Sequence, residues 1–212
     1  MKQKKLILLG GGGHCKSVID VAESAGFNIL GVLDMPENVG KPILDYEVIG
    51  TDDDIPRYVN TAEFVITVGF IKNPAIRIKI YDKVKDAGGK FATIVASTAY
   101  VSKYAILGEG TVIMHQAVVN AEAKVGINCI INTKANIDHG AIIGDFTHLS
   151  VGVLIAGKAK VGDRCFCGIG STIQHLTTIT SDVILGAATL VVKDITNSGI
   201  YVGIPAKFLK KV

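Results

Sequence analysis

From Val101 to Thr196 the chain divides into sixteen consecutive hexapeptides without an insertion or deletion. The first residue of each block is aliphatic in fifteen cases and Cys167 in the sixteenth. The fifth residue is Ala, Thr, Cys, Val, Ser or Ile throughout, so it is always small or β-branched. An α-helix repeats at 3.6 residues and an ordinary strand at two, and neither produces a period of six. A triangular parallel β-helix does. Each hexapeptide supplies one short strand on one flat face, and three of them close a coil that rises about 4.7 Å.

Glycines 108, 126, 144 and 162 recur at steps of 18, or three hexapeptides, and are expected to stack on one corner of about five coils. The reading made from the sequence is that they serve turns needing unusual backbone angles. Gly186 lies 24 residues further on, at the next corner. Cys129 and Cys165 both hold the inward fifth position, 36 residues and hence two coils apart, too far for a disulfide. The remaining cysteines, Cys15 and Cys167, complete no metal-ligand spacing, so no metal is expected and a reduced cytoplasmic setting fits best.

The chain of 212 residues is 49% hydrophobic and 19% charged, which suits a globular protein with a sizeable core. A net charge of +3 is too mild, and too little clustered, to argue for nucleic acid as a partner. Met1–Leu9 faintly imitates a secretion signal, but its apolar run is short and leads straight into four glycines. No stretch reaches the roughly 18 apolar residues of a membrane span.

Residues 1–95 read as an α/β domain and 96–212 as the β-helix domain with a C-terminal tail, joined through residues 96–100. Strands are expected over 5–10, 27–33, 62–69 and 91–95, with helices over 14–25 and 73–87. The second helix is expected to bury Ile76, Ile78, Ile80, Tyr81 and Val84. Strand–helix alternation of this kind builds a small, parallel, Rossmann-like sheet.

His139, in the segment Asn136-Ile137-Asp138-His139-Gly140, is the strongest candidate for chemistry. It holds the third position of its hexapeptide, near the outside of a corner, and imidazole is suited to taking a proton near neutral pH. His148 lies half a coil further, His175 two coils above His139, and His115 one face over. Near the N-terminus, Gly10–Gly13 and His14 follow a strand and open a helix, where backbone N–H groups can cradle an anion. The dinucleotide pattern G-x-G-x-x-G fails at Cys15, yet Asp34 ends the second strand, where a ribose-binding acid belongs. A nucleotide-linked sugar suits that combination better than a dinucleotide.

The opening LGGGGH, the run IDHG…IGDFTHLSVG…IAGKAKVGDRCFCGIGS and the closing VGIPAK together resemble the hexapeptide-repeat sugar acyltransferases of the PglD/NeuD type. The resemblance covers essentially the whole chain. It implies a left-handed coil, a homotrimer, and direct acetyl transfer from acetyl-CoA to a nucleotide-linked amino sugar for surface glycan synthesis. It also implies that His139 is the general base. His148, Gly157, Ile169, Gly186 and Ala187 would line the acetyl-CoA site. Gly12, Gly13, His14, Asp34 and Gly69 would hold the nucleotide-sugar.

Two positions depart from that pattern. A carboxylate that follows the catalytic histidine in bacillosamine-type enzymes is here Gly140, so Glu122, one coil below Gly140, or Asp138 is expected to replace it. A second acid beside Asp34 is here Met35. O-acetylation of a sialic acid or related sugar is the nearest alternative, and a non-catalytic nucleotide-sugar-binding scaffold is the alternative of another class. Serine- and maltose-type acetyltransferases share the solenoid, but they are expected to begin with helices rather than an α/β unit.

Overall fold

A computed structural model describes residues 4–211, so the first three residues of the signal-like stretch and the last residue lie outside the described chain. It forms two compact units. One runs to Gly69 and resumes at Pro74–Ser97; the other combines Phe70–Asn73 with the chain from Thr98 onward.

The first unit is a five-stranded sheet in the order β3-β4-β2-β1-β5. Its strands are β1 (Lys5–Leu9), β2 (Asn28–Leu33), β3 (Pro42–Ile43), β4 (Tyr46–Gly50) and β5 (Glu63–Ile66). β1 pairs parallel with β2 and β5, as the strand–helix alternation requires. The β3–β4 hairpin adds an antiparallel edge that the hydrophobic pattern did not announce. Helix α1 (Gly13–Ser24) buries Cys15, Val18, Ile19, Val21 and Ala22, spaced to make one stripe. Helix α2 (Ala75–Asp86) corrects the expected stripe, because it buries Arg77, Ile80 and Val84 and leaves Ile76 63% exposed. The Arg77 guanidinium donates to the carbonyls of Ile66 and Val68 at 3.1 and 2.6 Å, which pays its desolvation where the strand ends. The last expected strand shortens to Ile94–Val95, with Phe91 only bridging Phe64.

The second unit is a left-handed parallel β-helix. Strands of two or three residues run from Tyr100–Val101 to Leu190–Val191, each spanning the sixth and first positions of neighbouring hexapeptides. Partners lie 18 residues apart, as in Tyr100↔Val118↔Asn136↔Leu154. Beyond the last coil, Gly199–Val202 continues one face and turns back through Lys207–Lys210 as a hairpin. Among the described residues no helix is long and apolar enough to cross a membrane.

The glycine columns are present, but for another reason than the one expected. A Cβ at Gly144 would lie 2.6 Å from the Gly162 carbonyl carbon, and one at Gly108 2.4 Å from that of Gly126. Close coil-to-coil approach excludes a side chain there. The left-handed backbone falls two residues later, at the fourth position of each hexapeptide, where Gln116, Glu122, Asn128, Lys134, Phe146, Lys158 and Arg164 have φ of 50–62°. Inside, one column of fifth-position thiols and hydroxyls, Thr111, Cys129, Thr147 and Cys165, bonds to the wall. Thr111 Oγ1 accepts from the Cys129 N–H and donates to the Gly126 carbonyl, and Thr147 repeats this with Cys165 and Gly162. Both cysteines donate to backbone carbonyls, so this polar column is satisfied without water.

Candidate functional site

The first unit gathers five of the expected residues at the carboxyl ends of its strands, the region where parallel α/β sheets bind ligands. Gly12 caps α1 with extended backbone and no side-chain cap, and both Gly12 and Gly13 are exposed with open space where a Cβ would stand. His14 occupies the first turn, and a Cβ on Gly69 would lie 3.5 Å from the His14 Cβ. Asp34 reaches across the glycine loop. A Cβ at Gly11 would meet Asp34 Oδ2 at 2.7 Å, and Asn38 Nδ2 donates to that same oxygen at 2.8 Å. Asn38 was not singled out from the sequence, and Gly11 entered only as part of the Gly10–Gly13 run. Met35 is exposed beside this acid and supplies no second carboxylate.

In the solenoid, His139 stands on a corner between the strands Asn136–Ile137 and Ile142–Ile143, with its side chain 62% exposed. Asp138 is its partner. Asp138 Oδ1 accepts from the His139 backbone N–H at 2.7 Å and lies 3.1 Å from Nδ1. A carboxylate can only accept, so Nδ1 carries the proton and Nε2 presents a lone pair. The His139 backbone N–H, then its ring, with a smaller part from Asn120, hold the Asp138 carboxyl below the ordinary carboxylate range. Asn120 Nδ2 donates to Asp138 Oδ1 at 3.2 Å. Of the two carboxylates expected to serve His139, Asp138 makes the contact; Glu122 instead lines a groove with Gly140, Ile142 and Lys158. Asn120 was missed, although it precedes Asp138 by one 18-residue coil.

The expected acetyl-CoA residues fall into three places. Gly157 lies one coil above His139 on the same corner, where its missing Cβ gives the imidazole its room. Ile169 and Ala187 share a different corner, with the Ala188 N–H bonded to the Ile169 carbonyl at 2.7 Å and Ile169 59% exposed. Gly168 and Gly186 stack beside them. His148 is on a third element, the strand His148–Leu149, and is only 8% exposed. His115 bonds to Thr98 and His175 is an exposed corner residue.

None of the four cysteines is an activated nucleophile. All are buried and none forms a disulfide. Burial pushes the Cys165 thiol up to about 12 and Cys15 up to about 11, and it raises Cys167 well above the ordinary range. The arrangement therefore offers one oriented imidazole at an open corner, suited to general-base help rather than a covalent intermediate.

Comparison with known proteins agrees with this geometry. Residues 5–84 match the family described as the PglD N-terminal domain. The whole fold is similar to that of PerB from Caulobacter crescentus, solved in complex with CoA and GDP-perosamine. The two share 30% identity over 97% of each chain, with a TM-score of 0.89. The acetyltransferase domain of PglB from Neisseria gonorrhoeae, solved in complex with acetyl coenzyme A, is also 30% identical. That match covers 98% of this chain and all of the other, with a TM-score of 0.89. Among curated proteins, an uncharacterised protein of Acanthamoeba polyphaga mimivirus is 31% identical over 119 residues, and the chain spans 23% of that relative's length. With a PglD-type N-terminal unit, a hexapeptide solenoid and end-to-end likeness to PerB, the chain belongs to the PglD/NeuD-type family of sugar acetyltransferases.

Proposed function

We propose that the protein transfers an acetyl group from acetyl-CoA to the amine of a UDP- or GDP-linked amino sugar, in the cytoplasm, for surface glycan synthesis. The observation that carries this reading is His139, with Nδ1 held by Asp138 and an exposed side chain that packs against Gly157. The PerB structure containing CoA and GDP-perosamine supports the pairing of substrates. The set Gly12, Gly13, His14, Asp34 and Gly69 holds the nucleotide-sugar. His139 Nε2 takes the proton that the amine nitrogen loses as it attacks the thioester carbonyl. The C–S bond breaks, the amide forms, and the imidazolium passes that proton to the departing thiolate, which leaves as CoA thiol. Asp138 stabilises the imidazolium and keeps the ring in its productive tautomer. Holding both substrates together supplies much of the remaining rate.

Ile169, Gly186 and Ala187 line the pantetheine channel in this reading. The assembly is a homotrimer, supported by an exposed face beside the His139 corner where Tyr104, Ile106, Ile142 and Leu176 alternate with lysines. Sedimentation tests that part.

The decisive assay offers acetyl-CoA with a panel of UDP- and GDP-linked amino sugars and their hydroxyl analogues, and reads free thiol and product mass. Amine-dependent thiol release, cut by about 10²–10⁴-fold in His139→Ala, is the expected result. Turnover of hydroxyl analogues alone would make it an O-acetyltransferase. No turnover with any acceptor would sink the reading.

A further inference from the structure

Asp138 orients His139 from an insecure position. It is the residue directly before the ring, its side chain is 42% exposed, and its contact with Nδ1 is 3.1 Å long. A carboxylate so placed gains rotamer freedom and water contacts by turning away. Once it turns, nothing fixes the tautomer of the imidazole. The hold on Nδ1 therefore depends on what fixes the rotamer of Asp138.

Three donors converge on one oxygen. Asp138 Oδ1 accepts from the His139 backbone N–H at 2.7 Å, faces the ring Nδ1, and accepts from Asn120 Nδ2 at 3.2 Å. Two of the three belong to the residue being oriented, and only Asn120 reaches in from another coil. Among the described residues, Asn120 is the one side chain besides His139 that donates to Asp138. Because a carboxylate only accepts, the amide nitrogen of Asn120 is the atom that faces it.

Asn120 is itself anchored through its backbone. Its N–H donates to the Ile137 carbonyl at 2.9 Å, and its carbonyl accepts from the Ala123 N–H at 3.3 Å. The same column on the coil above holds Ala156, which has no polar side-chain atom, and Gly140 supplies no acid on the other side of the histidine. Support for Asp138 thus comes from below.

We propose that Asn120 is a positioning residue for the base: it pins Asp138 in the rotamer that reaches His139 Nδ1, and through it selects the Nδ1–H tautomer that leaves Nε2 free to take a proton. Asn120, Asp138 and His139 form a relay across two adjacent coils. Its effect on rate rests on the proposed transferase activity; its effect on the tautomer does not.

Nitrogen-15 NMR of histidine-labelled protein at about pH 8, where an ordinary imidazole is neutral, reads the tautomer directly. The His139 signal is assigned by its loss in His139→Ala. The wild-type ring is expected as Nδ1–H. In Asn120→Ala and in Asn120→Asp, which keeps the size but cannot donate, it is expected to relax towards Nε2–H. In the transfer assay both variants are expected to lower kcat about tenfold, the effect of one hydrogen bond to a charged acceptor, with both KM values within about twofold. Asn120→Ala is expected to add nothing to Asp138→Ala, since it acts only through that carboxylate. A wild-type ring found as Nε2–H, or an Asn120→Ala ring that stays Nδ1–H, overturns the proposal. So does a double variant about tenfold slower than Asp138→Ala. Should Asn120→Ala not fold, Asn120→Asp carries the same outcomes. A protein that acetylates none of the acceptors refutes the transferase reading, and the tautomer still decides the relay.

Discussion

The imidazole of His139 occupies the space that a side chain at Gly157 would fill: a Cβ there would come within 2.5 Å of its Cε1 and 2.8 Å of its Nε2. The glycine belongs to the coil above, 18 residues later. Gly157→Ala should therefore leave the fold intact, because the clashing atoms are the far end of a movable side chain. It should displace the base, and kcat is expected to fall about 10²-fold with little change in melting temperature. Steady-state kinetics alongside calorimetry checks both halves.

Asp138 and Glu122 make opposite predictions. Asp138→Asn should reduce kcat about tenfold to a hundredfold, because an amide can present its N–H to Nδ1 and select the wrong tautomer. Glu122→Gln should leave the pH dependence of kcat unchanged, since no contact joins its carboxylate to the His139 ring, where Asp138 makes that contact. The donors around Asp138 lower its pKa, so its carboxylate is ionised at and above the ordinary value of 3.8. A depressed carboxyl contributes above that value and loses its contribution only as pH falls through the lower, folded-state pKa. Asp138 is therefore ionised throughout about pH 5 to 9, and the penalty of Asp138→Asn is expected to persist across that range. A penalty that disappears by pH 5 would contradict the pairing.

The solenoid separates two glycine roles that look alike in the sequence. Gly144→Ala should cost about 2 kcal/mol or more, because its Cβ would run into the backbone of Gly162 and Asp163. Lys134→Gly, at an exposed position with φ of 60°, should be neutral or stabilising by up to about 1 kcal/mol, since glycine takes that conformation without strain. Urea unfolding of the two variants distinguishes them.

Arg77 gives a stability test in the first unit. Its guanidinium is fully buried and bonded to the Ile66 and Val68 carbonyls. Arg77→Leu is expected to cost about 3 kcal/mol by leaving those carbonyls without their donor. Ile76→Ala, on the exposed face, should cost less than about 0.5 kcal/mol. Equal losses would refute the observed helix orientation.

Much of the site was legible because the repeat converts sequence distance into position. Steps of 18 place His139 under Gly157, Asn120 under Asp138 and Ile169 under Ala187. What period counting could not supply was the side-chain direction. Both Glu122 and Asp138 are near the right coil, and only their rotamers tell which carboxylate reaches Nδ1. His148 and Phe70 are 78 residues apart and follow no period, so their bond had no signal in the sequence. Arg77 was hidden for another reason: an apolar stripe gave no hint that strand-end carbonyls would draw a cation inward.

By itself the sequence determined the coil, its register and the corner that carries His139, because a six-residue period of aliphatic first residues and small fifth residues turns those two positions inward in every block. The tertiary structure decided which neighbours those residues meet. It turned Asp138 rather than Glu122 toward the imidazole, left room for that ring beside Gly157 and drew Phe70 onto His148. Such choices depend on hydrogen-bond geometry and packing between residues far apart in the chain, which local pattern does not encode.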